Sequence, residues 1–293
     1  MRLTPREIKA TVKELAQAVF DHRGWLHRWH RSLIFDLPVD PICHSRESFR
    51  RCLFGQWYYQ EQSALLRDHP SFEALEEHHR RLHAAGFDLA EKMRRGQKIS
   101  VGDYDDLIVK DWDFSKAVFE LRDELLETLF EFDPLTDILN RQAFTRILSR
   151  EYARASRTGQ PCCLCMADLD YFKSINDTYG HLAGDAVLHG VARYFSSKLR
   201  PYDWICRYGG EEFLICLPDT RLQLAEKIMN RLRSGVATLT FGPNQEIRLT
   251  ASFGIAPMPT DVPIEDSIAR ADAALYLAKQ GGRDQVVLDT NPP

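Results

Sequence analysis

At 293 residues the chain is long enough for two domains, each burying its own core. A net charge of -4, from 38 basic and 42 acidic residues of interspersed sign, leaves no polybasic footprint for a nucleic acid polymer or an anionic membrane, so any affinity for polyanions has to come from a local site. No apolar run is long enough for membrane insertion, and Met1-Arg2-Leu3-Thr4-Pro5-Arg6-Glu7 lacks a secretory core; the expectation is a cytoplasmic protein whose seven cysteines are not a disulfide framework.

In chain order, the first half reads as helices. Thr4, Pro5 and Glu7 form a capping box, followed by Ile8, Val12, Leu15, Val19, His22, Leu26, Trp29 and Leu33 at alternating steps of four and three. A shorter helix around Phe49 to Tyr59 carries Cys52. A third shows Phe72, Leu75, His79, Leu82, Gly86, Leu89 and Met93, with His83 one turn beyond His79. The fourth runs from about Asp103 to Phe132 with Tyr104, Leu107, Ile108, Val118, Leu121, Leu125 and Leu129 inward. The expected fold is an all-α four-helix bundle over residues 1–128. Its core would contain His22, Cys52, His79 and His83, a set that suits tetrahedral zinc and reads equally well as satisfied core histidines with a small apolar cysteine. His27, His30, His44, His69 and His78 are expected at the surface.

From residue 129 to 293 strands and helices alternate: helix 140–157, an apolar strand over 162–167 ending at Asp168, helix 183–199, a hairpin, helix 221–234, strand 248–256 and helix 264–279. Helical crossovers combined with a tight hairpin predict an α/β domain with a central mixed sheet flanked by helices. The hairpin Arg207-Tyr208-Gly209-Gly210-Glu211-Glu212-Phe213 is the most informative stretch. Its glycines are expected to supply positive φ and close approach to a ligand, with two carboxylates at the tip. Asp168, at its strand end, would meet Glu211 and Glu212 and hold Mg²⁺ against triphosphate oxygens. Cys162, Cys163 and Cys165 alternate across a strand and are expected only to pack.

The segment Asp168-Leu169-Asp170-Tyr171-Phe172-Lys173-Ser174-Ile175-Asn176-Asp177-Thr178-Tyr179-Gly180-His181, with Gly184-Asp185 and the Gly-Gly-Glu-Glu-Phe hairpin, resembles the GGDEF domain of diguanylate cyclases over roughly residues 133 to 288. The resemblance implies condensation of two GTP into cyclic di-GMP with release of pyrophosphate, by a homodimer with one GTP on each domain. It further implies magnesium on Asp168, the Leu169 carbonyl, Glu211 and Glu212, with Glu211 acting at the 3′-hydroxyl or on metal. Asn176 and Asp185 match the guanine readers, and Lys173, Lys279 and Arg283 the phosphate contacts; such donors suit the chemistry they would serve. Arg200 and Asp203 match the spacing of the family's inhibitory site for the cyclic di-GMP product, where an Arg can grip phosphate or a guanine edge. The glycine and proline usual after Asp-x-Leu-Thr are replaced in Asp137-Ile138-Leu139-Asn140-Arg141, so the linker turn is expected to differ.

The N-terminal half resembles the chemoreceptor zinc-binding (CZB) domain through His22, the segment from Cys52 to Trp57, and His79 with His83 before Gly86. That family makes His22, Cys52, His79 and His83 the zinc ligands, and the order of the two domains resembles zinc-regulated diguanylate cyclases, in which zinc suppresses activity. Two other classes stay open: a silent domain that acts as a cyclic di-GMP receptor, and a zinc store with a structural C-terminal half.

Overall fold

The computed structural model describes residues 4–60, 66–67, 69–242, 244 and 246–289. The chain divides into two compact units, Met1–Leu129 and Phe130–Pro293. Among the described residues no helix is long and apolar enough to cross a membrane.

The first unit is helical: α1 (Pro5–Phe35), a 3-10 turn (Pro41–His44), α2 (Ser48–Arg51), α3 (Leu53–Tyr59), α4 (Pro70–Arg94) and α5 (Val101–Leu129). The capping box forms as the sequence predicts, the Thr4 N–H donating to Glu7 at 2.7 Å and the Glu7 N–H to the Thr4 hydroxyl at 3.3 Å. The buried face of α1 is rotated from the expected seam. Thr11, Ala18, Trp25 and Ser32 are buried where Val12, Val19, Leu26 and Leu33 were expected, and those four are only half-buried. Small side chains at three of the four positions let neighbouring helices approach closely, which outweighs hydrophobicity alone. On α4 the predicted stripe is buried except for Met93. On α5, Phe114 is buried and Tyr104 is exposed, the reverse of the emphasis in the pattern. The expected single helix from Phe49 to Tyr59 is broken at Cys52, whose backbone is extended (φ -66°, ψ 158°) and whose sulfur caps α3 by accepting the Gly55 N–H at 3.2 Å.

The second unit contains β1 (Leu139–Asn140), α6 (Arg141–Thr158), β2 (Cys163–Leu169), α7 (Phe172–Tyr179), α8 (His181–Lys198), β3 (Trp204–Arg207), β4 (Glu212–Leu217), α9 (Leu222–Val236), β5 (Ala251–Pro257), α10 (Ile264–Gln280) and β6 (Val286–Leu288). The six strands form one mixed sheet in the order β1-β3-β4-β2-β5-β6, with β1/β3 and β5/β6 parallel and the other pairs antiparallel. Central β2 is buried throughout, and its alternation divides the core. Cys163, Cys165, Ala167 and Leu169 pack with α8 and α9 on one face. Cys162, Leu164 and Met166 pack with α6 and α10 on the other. All three cysteines of this strand region are packing groups, and the Sγ of Cys162 lies 3.5 Å from that of Cys216.

The turn that lacks the usual glycine is accommodated by Asp137 in the left-handed region at φ 57°, a conformation aspartate tolerates better than most residues. Its N–H donates to the Asp133 carbonyl at 2.9 Å, and the Asp133 carboxylate accepts from the N–H and hydroxyl of Thr136 at 2.9 and 2.6 Å. A short local network thus replaces glycine's freedom.

Candidate active site and metal centre

Asp168 is the buried penultimate residue of β2, directly opposite Glu212 on β4 and Ser252 on β5. The sheet register therefore brings Asp168 and Glu212 together, and the Leu169 N–H donates to the Glu211 carbonyl at 3.3 Å, tying the second carboxylate residue to the same strand end. Lys279 enters from α10, with its Nζ 2.8 Å from Asp168 Oδ2. Burial pushes the Asp168 carboxyl up to about 6; Lys279 opposes this, while Glu211 and Glu212 add to it. Burial likewise raises Glu211, with Lys279 opposing and Glu212 reinforcing. Three carboxylates of hard oxygen and one cation at adjoining strand ends suit a divalent metal carrying phosphates, and the crowding of negative charge is what such an ion would relieve.

The glycines work differently from the expectation. Neither Gly209 nor Gly210 has positive φ. At Gly209 a Cβ would lie 2.2 Å from Glu212 Oε2, so this glycine makes room for the carboxylate itself, whereas a Cβ on Gly210 would meet nothing within 4 Å. The hairpin tip is held instead by Arg207, whose Nε and Nη2 donate to the Gly210 carbonyl at 3.1 and 2.8 Å.

Asn176 lies on α7 and Asp185 on α8, both half-buried. Gly184 lets the two helices meet, since a Cβ there would lie 1.9 Å from Asn176 Oδ1. Lys173 is exposed on the first turn of α7. Arg283 stacks its guanidinium on the Tyr171 ring at 4.5 Å and donates to the Tyr171 hydroxyl at 3.4 Å. Tyr171, Arg283 and Asp284 all have positive φ, of 57°, 64° and 42°. The strain is held by Asp170, a residue sequence reasoning passed over. Buried to 3 % exposure, it accepts from the Thr250 hydroxyl at 2.6 Å, the Ser252 hydroxyl at 2.7 Å and the Asp284 N–H at 3.0 Å. The Asp-x-Asp spacing at 168 and 170 was the available signal, and its partners lie 80 to 114 residues on.

Arg200 and Asp203 share a tight turn, but their side chains are not an ion pair. Asp203 Oδ2 accepts from the Arg200 backbone N–H at 2.8 Å, while the Arg200 guanidinium donates to the Tyr202 hydroxyl at 3.2 Å. Asp203 Oδ1 is buried without a hydrogen-bond partner among the described residues, and burial raises the carboxyl against the pull of Arg200 and of Arg231 on α9. Arg231 is a further cation near this turn with no signal in the local motif.

In the helical unit, His22, Cys52, His79 and His83 converge. All four are buried and their ligand atoms lie within 4.8 Å of one another. Cys52 Sγ is 3.2 Å from His79 Nε2, and His83 Nδ1 is 3.0 Å from Ser48 Oγ. Both nitrogens of His22 and Nε2 of His83 are buried without hydrogen-bond partners among the described residues. Burial holds His22 down to about 3 and keeps His79 and His83 well below the usual histidine range, so the imidazoles are neutral ligand forms; burial pushes the Cys52 thiol up to about 11. A tetrahedral zinc with bonds of roughly 2.0–2.3 Å needs such ligand atoms slightly closer than this, and it would take up one nitrogen of His22, Nε2 of His83 and the thiolate together. Of the five histidines expected at the surface, His27 and His44 are exposed and His30, His69 and His78 are half-buried.

A mixed α/β sheet that gathers Asp168, Glu211 and Glu212 at adjoining strand ends beside a glycine hairpin, with Lys279 reaching them from α10, defines an α/β class of domain with an acidic site at one edge of its sheet. The family model for the diguanylate cyclase GGDEF domain matches residues 130–285, and that for the chemoreceptor zinc-binding domain matches residues 22–90. The chain belongs to the GGDEF diguanylate cyclase family. It is similar to the diguanylate cyclase DgcP of Pseudomonas aeruginosa (42 % identity over 155 residues, 53 % of this chain and 23 % of that protein). Diguanylate cyclase DgcZ of Escherichia coli K12 matches at 28 % identity over 290 residues, 95 % of this chain and 94 % of that protein. Among solved structures, the coiled coil and GGDEF domain of DgcB from Caulobacter crescentus, in complex with c-di-GMP, aligns with a TM-score of 0.57 and 31 % identity, covering 62 % of this chain and 98 % of that one. The chain spans only 23 % of DgcP and 38 % of DosC of Escherichia coli K12.

Proposed function

We propose that this chain is a diguanylate cyclase that joins two GTP into cyclic di-GMP as a cytoplasmic homodimer, inhibited by zinc on its helical unit and by its own product. The observation that carries the reaction is the register pairing of Asp168 with Glu212, with Lys279 2.8 Å from Asp168. Asp168, the Leu169 carbonyl, Glu211 and Glu212 would hold magnesium, which when bound supplies charge neutralisation at the transferring phosphate. Asp185 accepts from the guanine N1 and N2 donors and Asn176 donates to its acceptor edge, orienting the nucleotide. Each 3′-hydroxyl oxygen bonds to the α-phosphorus of the other GTP as the bond to the β-phosphate oxygen breaks. Glu211, raised by burial, takes the hydroxyl proton. Lys173, Lys279 and Arg283 stabilise the charge that gathers on departing pyrophosphate. Two such steps close the ring.

The product's two-fold symmetry calls for two domains facing each other, each holding one GTP. A stripe of exposed apolar residues at seven-residue spacing on α5, Trp112, Phe119 and Leu126, supports a homodimer built on that helix. Zinc on His22, Cys52, His79 and His83 would fix α1, the α2–α3 break and α4 relative to one another and so bias the dimer's helix packing. The test is conversion of GTP with Mg²⁺ by the purified chain, with and without a strong zinc chelator. Cyclic di-GMP that increases on chelation supports both the cyclase and zinc inhibition, and His79→Ala is expected to show the higher rate in zinc-containing buffer. Product unmoved by chelator in both chains defeats the inhibition, and the absence of product defeats the cyclase.

A further inference from the structure

Ser48 sits on the one-turn helix α2, 1 % exposed, and reaches two of the four converging residues. Its Oγ lies 3.0 Å from His83 Nδ1, and its backbone carbonyl accepts the Cys52 N–H at 3.0 Å, the bond that ends α2 and turns Cys52 extended. His83 has two nitrogens, and only one can offer a lone pair while neutral. Nδ1 is engaged by the serine, while Nε2 is buried and has no hydrogen-bond partner among the described residues. We infer that Ser48 is the positioning residue of the metal centre: its hydroxyl accepts a hydrogen bond from Nδ1–H of His83, which fixes the tautomer whose bare Nε2 serves as ligand.

The division of labour follows from the cost of the alternative. With the proton on Nε2, a buried N–H would face the cluster with nothing to accept it, and the lone pair would point away from the site. A serine hydroxyl can donate as well as accept, so the choice is made by the pair: with Ser48 accepting Nδ1–H the ring is satisfied, whereas the reverse arrangement, the hydroxyl donating to Nδ1, would leave a buried Nε2–H without an acceptor. Packing also keeps the ring from turning, because Trp25 lies tilted against His83 with the ring centroids 4.3 Å apart, and a Cβ on Gly86 would lie only 3.0 Å from the Trp25 ring. Ser48 thus supplies the hydrogen bond and Trp25 the wall. The same serine carbonyl places the cysteine, so two ligands from different helices are referenced to one residue.

This inference rests on the zinc reading of the pocket, and its test keeps the two apart. Zinc affinity of the full chain is measured by competition with a chromogenic chelator for wild type, Ser48→Ala and Ser48→Thr, and the His83 tautomer of the zinc-free proteins is read from long-range ¹H–¹⁵N NMR. Wild type is expected to show His83 protonated on Nδ1. Ser48→Ala should bind zinc about 10- to 100-fold more weakly and show a mixed tautomer, the range typical for loss of such a supporting hydrogen bond. Ser48→Thr, which keeps the acceptor, should retain the wild-type tautomer and bind more tightly than Ser48→Ala. Equal affinity in wild type and Ser48→Ala overturns the role of Ser48 alone, as does weaker affinity with the tautomer unchanged. A wild-type chain that takes up no zinc overturns the pocket's reading, and the serine's role falls with it.

Discussion

Arg207 joins Asp133 to the tip of the glycine hairpin: its Nη1 lies 3.3 Å from both carboxylate oxygens of Asp133, while its Nε and Nη2 hold the Gly210 carbonyl. Asp133 in turn organises the turn around Thr136 and Asp137, so the entrance of the α/β unit and the loop bearing Glu211 are one hydrogen-bonded body. Arg207→Met removes the strut while keeping the apolar stem. Because displacement of reacting groups by about 1 Å can cost on the order of 100-fold, turnover is expected to fall by roughly 10- to 100-fold, with the melting temperature little changed. A variant with wild-type kcat would show that the hairpin holds itself.

Asp168 yields a prediction in which stability and activity move in opposite directions. Its folded value, raised by burial to about 6 from an ordinary 3.8, means the folded protein binds this proton more tightly than the unfolded chain. Ionising it above pH about 6 therefore costs stability, and protonation as pH falls from about 6 toward 3.8 restores it. Asp168→Asn removes the cost. In magnesium-free buffer at pH 7 the variant should be more stable than wild type by about 1–2 kcal/mol, with the gap narrowed to about half at pH 5, while its cyclase activity is lost. Thermal unfolding of both proteins at the two pH values checks this; a gap independent of pH would mean that Asp168 is not the titrating group.

What the sequence made legible follows from where the signal is local. The apolar strands beside the glycine hairpin, the Asp168 strand end and the three long helices each carry their pattern within one segment, and all are present. The helix Phe172–Tyr179 escaped because it is eight residues long and buries only Phe172 and Ile175, too few for a period. The two-residue and three-residue edge strands β1 and β6 are likewise too short to announce themselves. Helical phase placed His22, His79 and His83 on core faces, and the resemblance to the zinc-binding family singled them out with Cys52 as one set, but the break at Cys52 was not legible, because it depends on a sulfur capping Gly55. There a Cβ would lie 1.8 Å from the Phe49 carbonyl, so the turn admits only glycine. Asp170 and Arg207 act through Thr250, Ser252 and Asp133, partners that folding alone brings near.

The α5 stripe can be tested by charge. Trp112, Phe119 and Leu126 are 68 %, 46 % and 36 % exposed, an apolar stripe one heptad position wide that no helix covers among the described residues. Phe119→Glu places two carboxylates against each other in a homodimer yet costs an isolated subunit little, since the side chain is already solvated. Light scattering should then report a monomer at micromolar concentration, and turnover should drop about tenfold or more, because the half-sites no longer meet. A Phe119→Glu protein that remains dimeric and active would place the interface elsewhere.

At the Arg200 turn, Asp203 keeps one carboxylate oxygen buried and unpartnered while the other is spent on the Arg200 N–H. An orphaned acceptor of this kind is costly unless a donor arrives, and a guanine edge supplies N–H donors, with the Arg200 side chain free to leave Tyr202 for a phosphate or base. Arg200→Ala should therefore abolish inhibition by added cyclic di-GMP while leaving the initial rate on GTP within about twofold, since surface substitutions away from the reacting groups usually change little. Asp203→Asn is the sharper variant. Its Oδ1 position can be filled by an amide that donates instead of accepting, so product binding should weaken although the turn, which needs only one acceptor for the Arg200 N–H, persists. Progress curves that slow equally in wild type and both variants as product accumulates would remove this turn from product control and leave its buried oxygen a purely structural expense.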